Sequence, residues 1–235
     1  MSKKISNNNN KKIRQLRLIS STTPFAIKES YSQIRTNITY SNANNKKCPI
    51  YAFTSADERV GKSTVSANIA ISFAQINKKV LLIDADMRRP SQFLTFNYHH
   101  NHYGLSEILA GIVKDPADVI CSPMENLSVL LGGCVPPNPS ELLNSKQFED
   151  LINACANEYD YIFIDLPPVD FVSDPLTVAH LVDGYILVTM AGKSNAKKEN
   201  SAINSIESLG AKVIGIVLNG TSIKKTSRYY KKYKY

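Results

Sequence analysis

No stretch of this sequence approaches the roughly 20 consecutive apolar residues that a membrane-crossing helix requires, and its first residues lack the apolar core of a secretory signal. The resulting expectation is a cytosolic chain, unless a partner tethers it. Paired cysteines are missing as well. Cys48, Cys121, Cys134 and Cys155 show neither a CxxC pair nor metal-like spacing, so reduced thiols are expected. His99, His100 and His102 cluster with no Cys or carboxylate at ligand spacing, which reads as a polar loop rather than a metal site. Acids are absent from both ends: residues 1–28 hold seven Lys/Arg and no Asp/Glu, and residues 224–235 hold six and none. The net charge of +8 is therefore a property of two tails, because 29–223 carries 15 basic against 20 acidic side chains. Such tails suit an anionic surface or an acidic partner and do not imply base-specific reading of nucleic acid.

What is present points to one sizeable α/β domain: 235 residues, 43% hydrophobic and 20% charged, with no internal repeat. Residues 1–23, with Asn7-Asn8-Asn9-Asn10 and scattered lysines, are too polar to form a core and are expected to be disordered. A domain over 24–223 follows, beginning with a helix over 24–40 on which Ala26, Ile27, Tyr31, Ile34 and Ile38 share a face. The rest of the chain is organised around Ile50-Tyr51-Ala52-Phe53 and what comes after it, Thr54-Ser55-Ala56-Asp57-Glu58-Arg59-Val60-Gly61-Lys62-Ser63-Thr64. The apolar run reads as a buried strand. Gly61-Lys62-Ser63 closes a phosphate-binding loop, with Ala56 where a first glycine often stands. Backbone N–H groups of such a loop bind phosphate oxygens, the lysine reaches the β- and γ-phosphates, and the serine hydroxyl coordinates Mg²⁺. Val65, Ile69, Phe73 and Ile76 recur at helical spacing, so a helix N-terminus points at the anion. A bland surface turn is the alternative, and the flanking strand and helix argue against it.

Two further apolar runs end in aspartate: Lys79–Asp84, continuing to Asp86, and Tyr161–Asp165. Runs apolar on both faces are how parallel strands covered by helices read, and ligands sit beyond the carboxyl ends of such strands. Leu127–Leu131, Tyr185–Met190 and Val213–Leu218 are expected as additional strands; 89–125 reads as loop-rich with a helical turn at Leu105–Ala110. The fold expected is a P-loop NTPase with a mostly parallel sheet covered by helices on both faces. Phosphoryl transfer is positioning plus charge neutralisation. Lys62 and Ser63, with Asp84, Asp86 and Asp165 as metal-holding or proton-accepting carboxylates, supply the parts. The competing reading is that these carboxylates cap the helices that follow. At the other end, four of the chain's twelve tyrosines lie in the last seven residues: Tyr229, Tyr230, Tyr233 and Tyr235, interleaved with lysines. This tail (224–235) reads as a phosphoacceptor or a stacking platform for single strands.

Taken together, these residues resemble the bacterial tyrosine kinases of capsule and exopolysaccharide systems, in their free-standing cytoplasmic Gram-positive form. The resemblance covers roughly 24–235 and rests on Gly61-Lys62-Ser63-Thr64, Asp84-Ala85-Asp86-Met87-Arg88, Ile164-Asp165 with Pro167-Pro168, the segment Pro136–Leu143 and the tyrosine tail. It implies autophosphorylation of tail tyrosines in trans from MgATP. Lys62 binds phosphate, with Val60, Gly61, Ser63 and Thr64 around it. Ser63, Asp84, Asp86 and Asp165 hold Mg²⁺, and Asp84 or Asp86 activates the tyrosine hydroxyl. Asn219 matches a position that contacts adenine in related ATPases. It also implies a transmembrane activator that recruits the kinase to the inner face of the membrane, a cognate phosphotyrosine phosphatase, and rings built through a Glu-x-x-Arg-x-x-Arg helix. Here Glu29 and Arg35 match and Ser32 replaces the middle arginine, so a weaker ring is expected. Asp57 and Glu58 bring two acids near the triphosphate, with Arg59 as the expected offset. The alternatives are a partitioning-type ATPase, whose early-loop lysine is replaced here by Asp57, and a catalytically weak regulator.

Overall fold

A computed structural model of the chain describes residues 18–42, 45–99 and 103–221; His100, His102 and the tail tyrosines Tyr229, Tyr230, Tyr233 and Tyr235 lie outside them. In chain order the principal elements are α1 (Phe25–Ser41), β1 (Ile50–Thr54), α2 (Lys62–Ala74), β2 (Val80–Asp84), α3 (Gln92–Thr95), α4 (Leu105–Leu109), β3 (Ile120–Met124), β4 (Leu127–Leu130), α5 (Pro139–Leu143), α6 (Lys146–Glu158), β5 (Tyr161–Asp165), α7 (Asp174–Thr177), β6 (Gly184–Met190), α8 (Ala196–Glu207) and β7 (Val213–Asn219). They form a seven-stranded sheet ordered β3-β4-β2-β5-β1-β6-β7.

Every residue of β1, β2 and β5 is buried, as strands covered on both faces must be. Alternate residues feed two cores. Ala52, Leu81, Ile83, Ile162 and Ile164 pack under α6 and α8 with Phe148, Ile152, Ala202 and Ile206. Tyr51, Phe53, Leu82, Phe163 and Val188 pack under α2 with Val65, Ile69 and Phe73. Because α2 is roofed by α1, it is buried on nearly all sides. Arg35 Nη1 donates to the Ser72 carbonyl (2.7 Å) near the end of α2, pinning one helix to the other.

Two expectations need correction. Within the loop-rich 89–125 lies a strand, β3, antiparallel to β4 with an irregular register between Cys121 and Met124. Pro123 and that irregularity break the strand pattern, and both are tolerated only because β3 is a sheet edge. The polar segment 1–23 is also not uniform: Ile19 is buried against α1 and α2, and its N–H donates to Asn68 Oδ1 (2.8 Å).

Candidate active site

β1 is central, with β5 on one side and β6 on the other, so the loop after it opens where chain connections diverge to both halves of the sheet. That loop turns sharply at Gly61, whose φ of 87° favours glycine. A Cβ there would lie 2.3 Å from Asn219 Nδ2. Asn219 instead donates that amide to the Val60 carbonyl (2.9 Å), tying the end of β7 to the loop. Asn219 thereby clamps the phosphate loop.

Lys62 opens α2 three residues earlier than the apolar periodicity placed the helix. Its ammonium is buried, 2.8 Å from Asp165 Oδ1 and 3.7 Å from Asp86 Oδ2. Burial works to lower its pKa, and the attraction of Asp165 and Asp86 more than offsets this, so the net direction is upward. The lysine is charged. β2 and β5 pair in parallel with Asp84 opposite Asp165, which brings the three carboxylates and the lysine to one end of the sheet.

The carboxylates are not equivalent. Asp86 lines a cleft of about 820 Å³ together with Gly61, Lys62, Ser63 and Thr64. Asp84 is fully buried, and its Oδ2 accepts from the backbone N–H groups of Ser91 (2.9 Å) and Gln92 (2.8 Å). The capping reading therefore holds for one of its oxygens. Oδ1 has no hydrogen-bond partner among the described residues. Burial first, and then the charge of Asp165, push the Asp84 carboxyl up to about 8. Asp86 is raised as well, by burial, against the opposing pull of Lys62. The donor set facing the loop is all oxygen, the ligand chemistry of Mg²⁺, and Asp84 Oδ1, orphaned among the described residues, becomes an acceptor for a cation that displaces the carboxyl proton. The residues fit the metal.

Asp57 and Glu58 are neutralised by residues that sequence reasoning did not connect to them. Lys198 Nζ lies 2.7 Å from Asp57 Oδ1, and Arg89 Nη1 lies 2.7 Å from Glu58 Oε2. Lys193 Nζ donates to the Glu58 carbonyl (2.9 Å). The offset expected of Arg59 thus comes from Arg89 and Lys198. Arg88, in the Asp-x-Asp-x-Arg run, lines the same cleft. Its Nε and Nη2 donate to the two oxygens of Asp174 (2.8 and 2.9 Å), and Ser140 Oγ donates to the same carboxylate. Glu29 and Arg35 lie far along the chain from these groups, on α1, with Arg35 engaged by Ser72.

A family model described as an AAA domain matches residues 50–211. The tyrosine-protein kinase CpsD of Streptococcus agalactiae serotype Ia is 42% identical over 195 residues, covering 83% of this chain and 82% of that protein. The tyrosine-protein kinase YwqD of Bacillus subtilis is 36% identical over 216 residues, covering 92% and 90%. Among solved structures, the kinase domain of Escherichia coli tyrosine kinase ETK superposes with a TM-score of 0.78 at 34% identity over 83% of this chain and 75% of that one. The chimerical protein CapA2B2 gives 0.77 at 34% identity over 84% and 85%. MinD of Pyrococcus horikoshii, at 23% identity and a TM-score of 0.62 over 73% and 70%, shares the fold alone. A phosphate loop on a parallel sheet, full-length kinase relatives and kinase-domain neighbours agree: the chain belongs to the bacterial ATP-dependent tyrosine-protein kinases exemplified by CpsD and YwqD.

Proposed function

We propose that this chain transfers the γ-phosphoryl group of ATP to tyrosines, its own Tyr229, Tyr230, Tyr233 and Tyr235 in a neighbouring copy among them, within a capsule or exopolysaccharide system. The observation that carries this reading is the Lys62 ammonium poised between Asp165 and Asp86 at the mouth of the phosphate loop. Bound Mg²⁺ would neutralise charge across the β- and γ-phosphates. Ser63, Asp86 and Asp165 are the residues to hold it, with Asp84 behind them. Lys62 exchanges Asp165 for phosphate oxygen, while Val60, Gly61, Ser63 and Thr64 cradle the phosphates through the loop backbone. Asp86, open to the cleft where Asp84 is not, takes the phenolic proton.

The chain is proposed to act with a transmembrane activator that recruits it to the membrane's inner face. The solved CapA2B2 chimera supports a two-component arrangement of that kind. Among the described residues no helix is long and apolar enough to cross a membrane. The basic segment 1–17 and the tail 224–235 are assigned as surface-seeking and phosphoacceptor segments around the kinase domain, and a phosphatase is expected to reverse the tail's modification. Self-association through α1, with Glu29 and Arg35, is expected to be weak because Ser32 removes one cation. The test is co-expression with the proposed transmembrane activator followed by an anti-phosphotyrosine blot of wild type and Lys62→Met. A strong wild-type signal that vanishes in the variant is expected; equal signals would overturn the assignment.

A further inference from the structure

The expected catalytic parts sit on three segments: Ser63 after the loop, Asp84 at the end of β2, and Asp165 at the end of β5. One residue touches all three, through its backbone and its side chain together. Gln92, the first residue of α3, is fully buried. Its backbone N–H donates to Asp84 Oδ2 (2.8 Å). Its side-chain Nε2 lies 2.8 Å from Asp165 Oδ2, 3.1 Å from the Ser63 carbonyl and 3.1 Å from Ser66 Oγ. An amide nitrogen has two hydrogens for these three acceptors. The shortest contact takes one, and the Ser63–Ser66 pair shares the other.

The remaining atom of that amide argues against a packing role. Gln92 Oε1 is buried with no hydrogen-bond partner among the described residues. An orphaned acceptor in a core is costly, and an apolar side chain of the same length would fill the space without it. The amide is kept for its N–H groups.

Asp165 is held at both oxygens, Oδ1 by Lys62 and Oδ2 by Gln92. Only the second of these bonds survives if Lys62 turns to phosphate. We infer that Gln92 is the positioning residue of the site: it fixes the Asp165 carboxylate against the Ser63 end of the phosphate loop while Lys62 exchanges partners. This rests on the proposed roles of Lys62, Ser63 and Asp165, and it adds a residue that none of the motifs contains. Gln92 touches no reacting atom.

The test uses the full chain carrying Gln92→Met, which keeps length and volume, and Gln92→Leu, which removes the amide donors in a smaller side chain. Binding of a fluorescent ADP analogue is titrated with EDTA and with Mg²⁺, alongside the thermal midpoint without nucleotide. For Gln92→Met we expect metal-free ADP affinity within about twofold of wild type, because the loop backbone is intact. We expect the tightening by Mg²⁺ to fall by about tenfold or more, the size reported for lost outer-shell partners. For Gln92→Leu the same pattern is expected: metal-free ADP affinity within about twofold of wild type and a Mg²⁺ tightening reduced by about tenfold or more. Wild-type Mg²⁺ tightening in Gln92→Met overturns the inference. So does wild-type Mg²⁺ tightening in Gln92→Leu, and this arm decides if the methionine variant does not fold. Absence of ADP binding by wild type would instead overturn the proposed function itself.

Discussion

At the scale of the residue, Lys62 and its acids are the most consequential contacts in the molecule. Removing one partner of a buried ion pair costs about 3–5 kcal/mol because the other charge is left uncompensated. Lys62 and Asp165 are such a pair, with side chains 8% and 0% exposed. Lys62→Met should therefore lower nucleotide-free stability as well as abolish phosphoryl transfer. Its denaturation midpoint should recover as pH falls, because Asp86, already raised by burial, loses the opposing pull of Lys62 and takes up a proton more readily. Asp84 gives a second test. Its unfolded-state carboxyl loses its proton near pH 4, whereas the folded one keeps it up to about 8. The folded state thus binds the extra proton between those values, and stability contributed by this group is lost as pH rises through the window. In Asp84→Asn, urea unfolding at pH 5 and pH 8 without nucleotide should show a smaller difference than in wild type. An identical pH slope would mean the carboxyl is already ionised. Lys62 is legible in the sequence from Gly61-Lys62-Ser63 behind a buried strand, and Asp86 and Asp165 from apolar runs that end at or just before them. Gln92 has no such signature. Its importance comes from the pairing of β2 with β5, which brings residues 84, 92 and 165 together, and no local spacing encodes that pairing.

At the scale of the element, the phosphate loop is held from three sides. Asn219 clamps Val60 from the end of β7, Lys193 and Lys198 reach in from the start of α8, and Arg89 comes from the segment after β2. Gly61→Ala should abolish nucleotide binding and destabilise the fold. Adding Asn219→Ala should recover part of the stability by removing the 2.3 Å clash, leaving the strain of the positive φ, about 1 kcal/mol or more. Equal stability of single and double variants would show that the clamp does not set the loop. The two arginines that follow Asp86 should differ sharply. Arg89 pairs with Glu58 at the surface, its side chain 71% exposed, and its removal should cost less than about 1 kcal/mol. Arg88 satisfies an Asp174 carboxylate that is 0% exposed, so Arg88→Ala should cost roughly 2 kcal/mol or more by chemical denaturation. Most strands and the longer helices could be read from apolar runs and helical spacing. The edge strand β3 could not, because Pro123 and an irregular register erase its alternation. The loop's countercharges could not either: Asp57 and Lys198 are 141 positions apart in the chain.

At the scale of the whole molecule, an acidic domain carries basic ends, and the chemistry proposed for it alters one of those ends. Each phosphate adds about −1.5 to −2 charges, so modifying all four tail tyrosines would cancel or reverse the charge of a segment with six cations and no acids. Contacts that depend on the tail's positive charge would then be released. Arg35 is already engaged by Ser72, and Ser32 offers no charge on α1, so sedimentation at low micromolar concentration should show small species rather than a stable ring. The central claim is that one copy's Lys62 site phosphorylates another copy's tail. It is tested most directly by mixing two full chains with MgATP and the activator, one carrying Lys62→Met with an intact tail, the other an intact site with all four tail tyrosines replaced by phenylalanine. Mass spectrometry should find phosphotyrosine on residues 229–235 of the Lys62→Met chain. Phosphotyrosine confined to other positions, or none on that chain, would contradict the account.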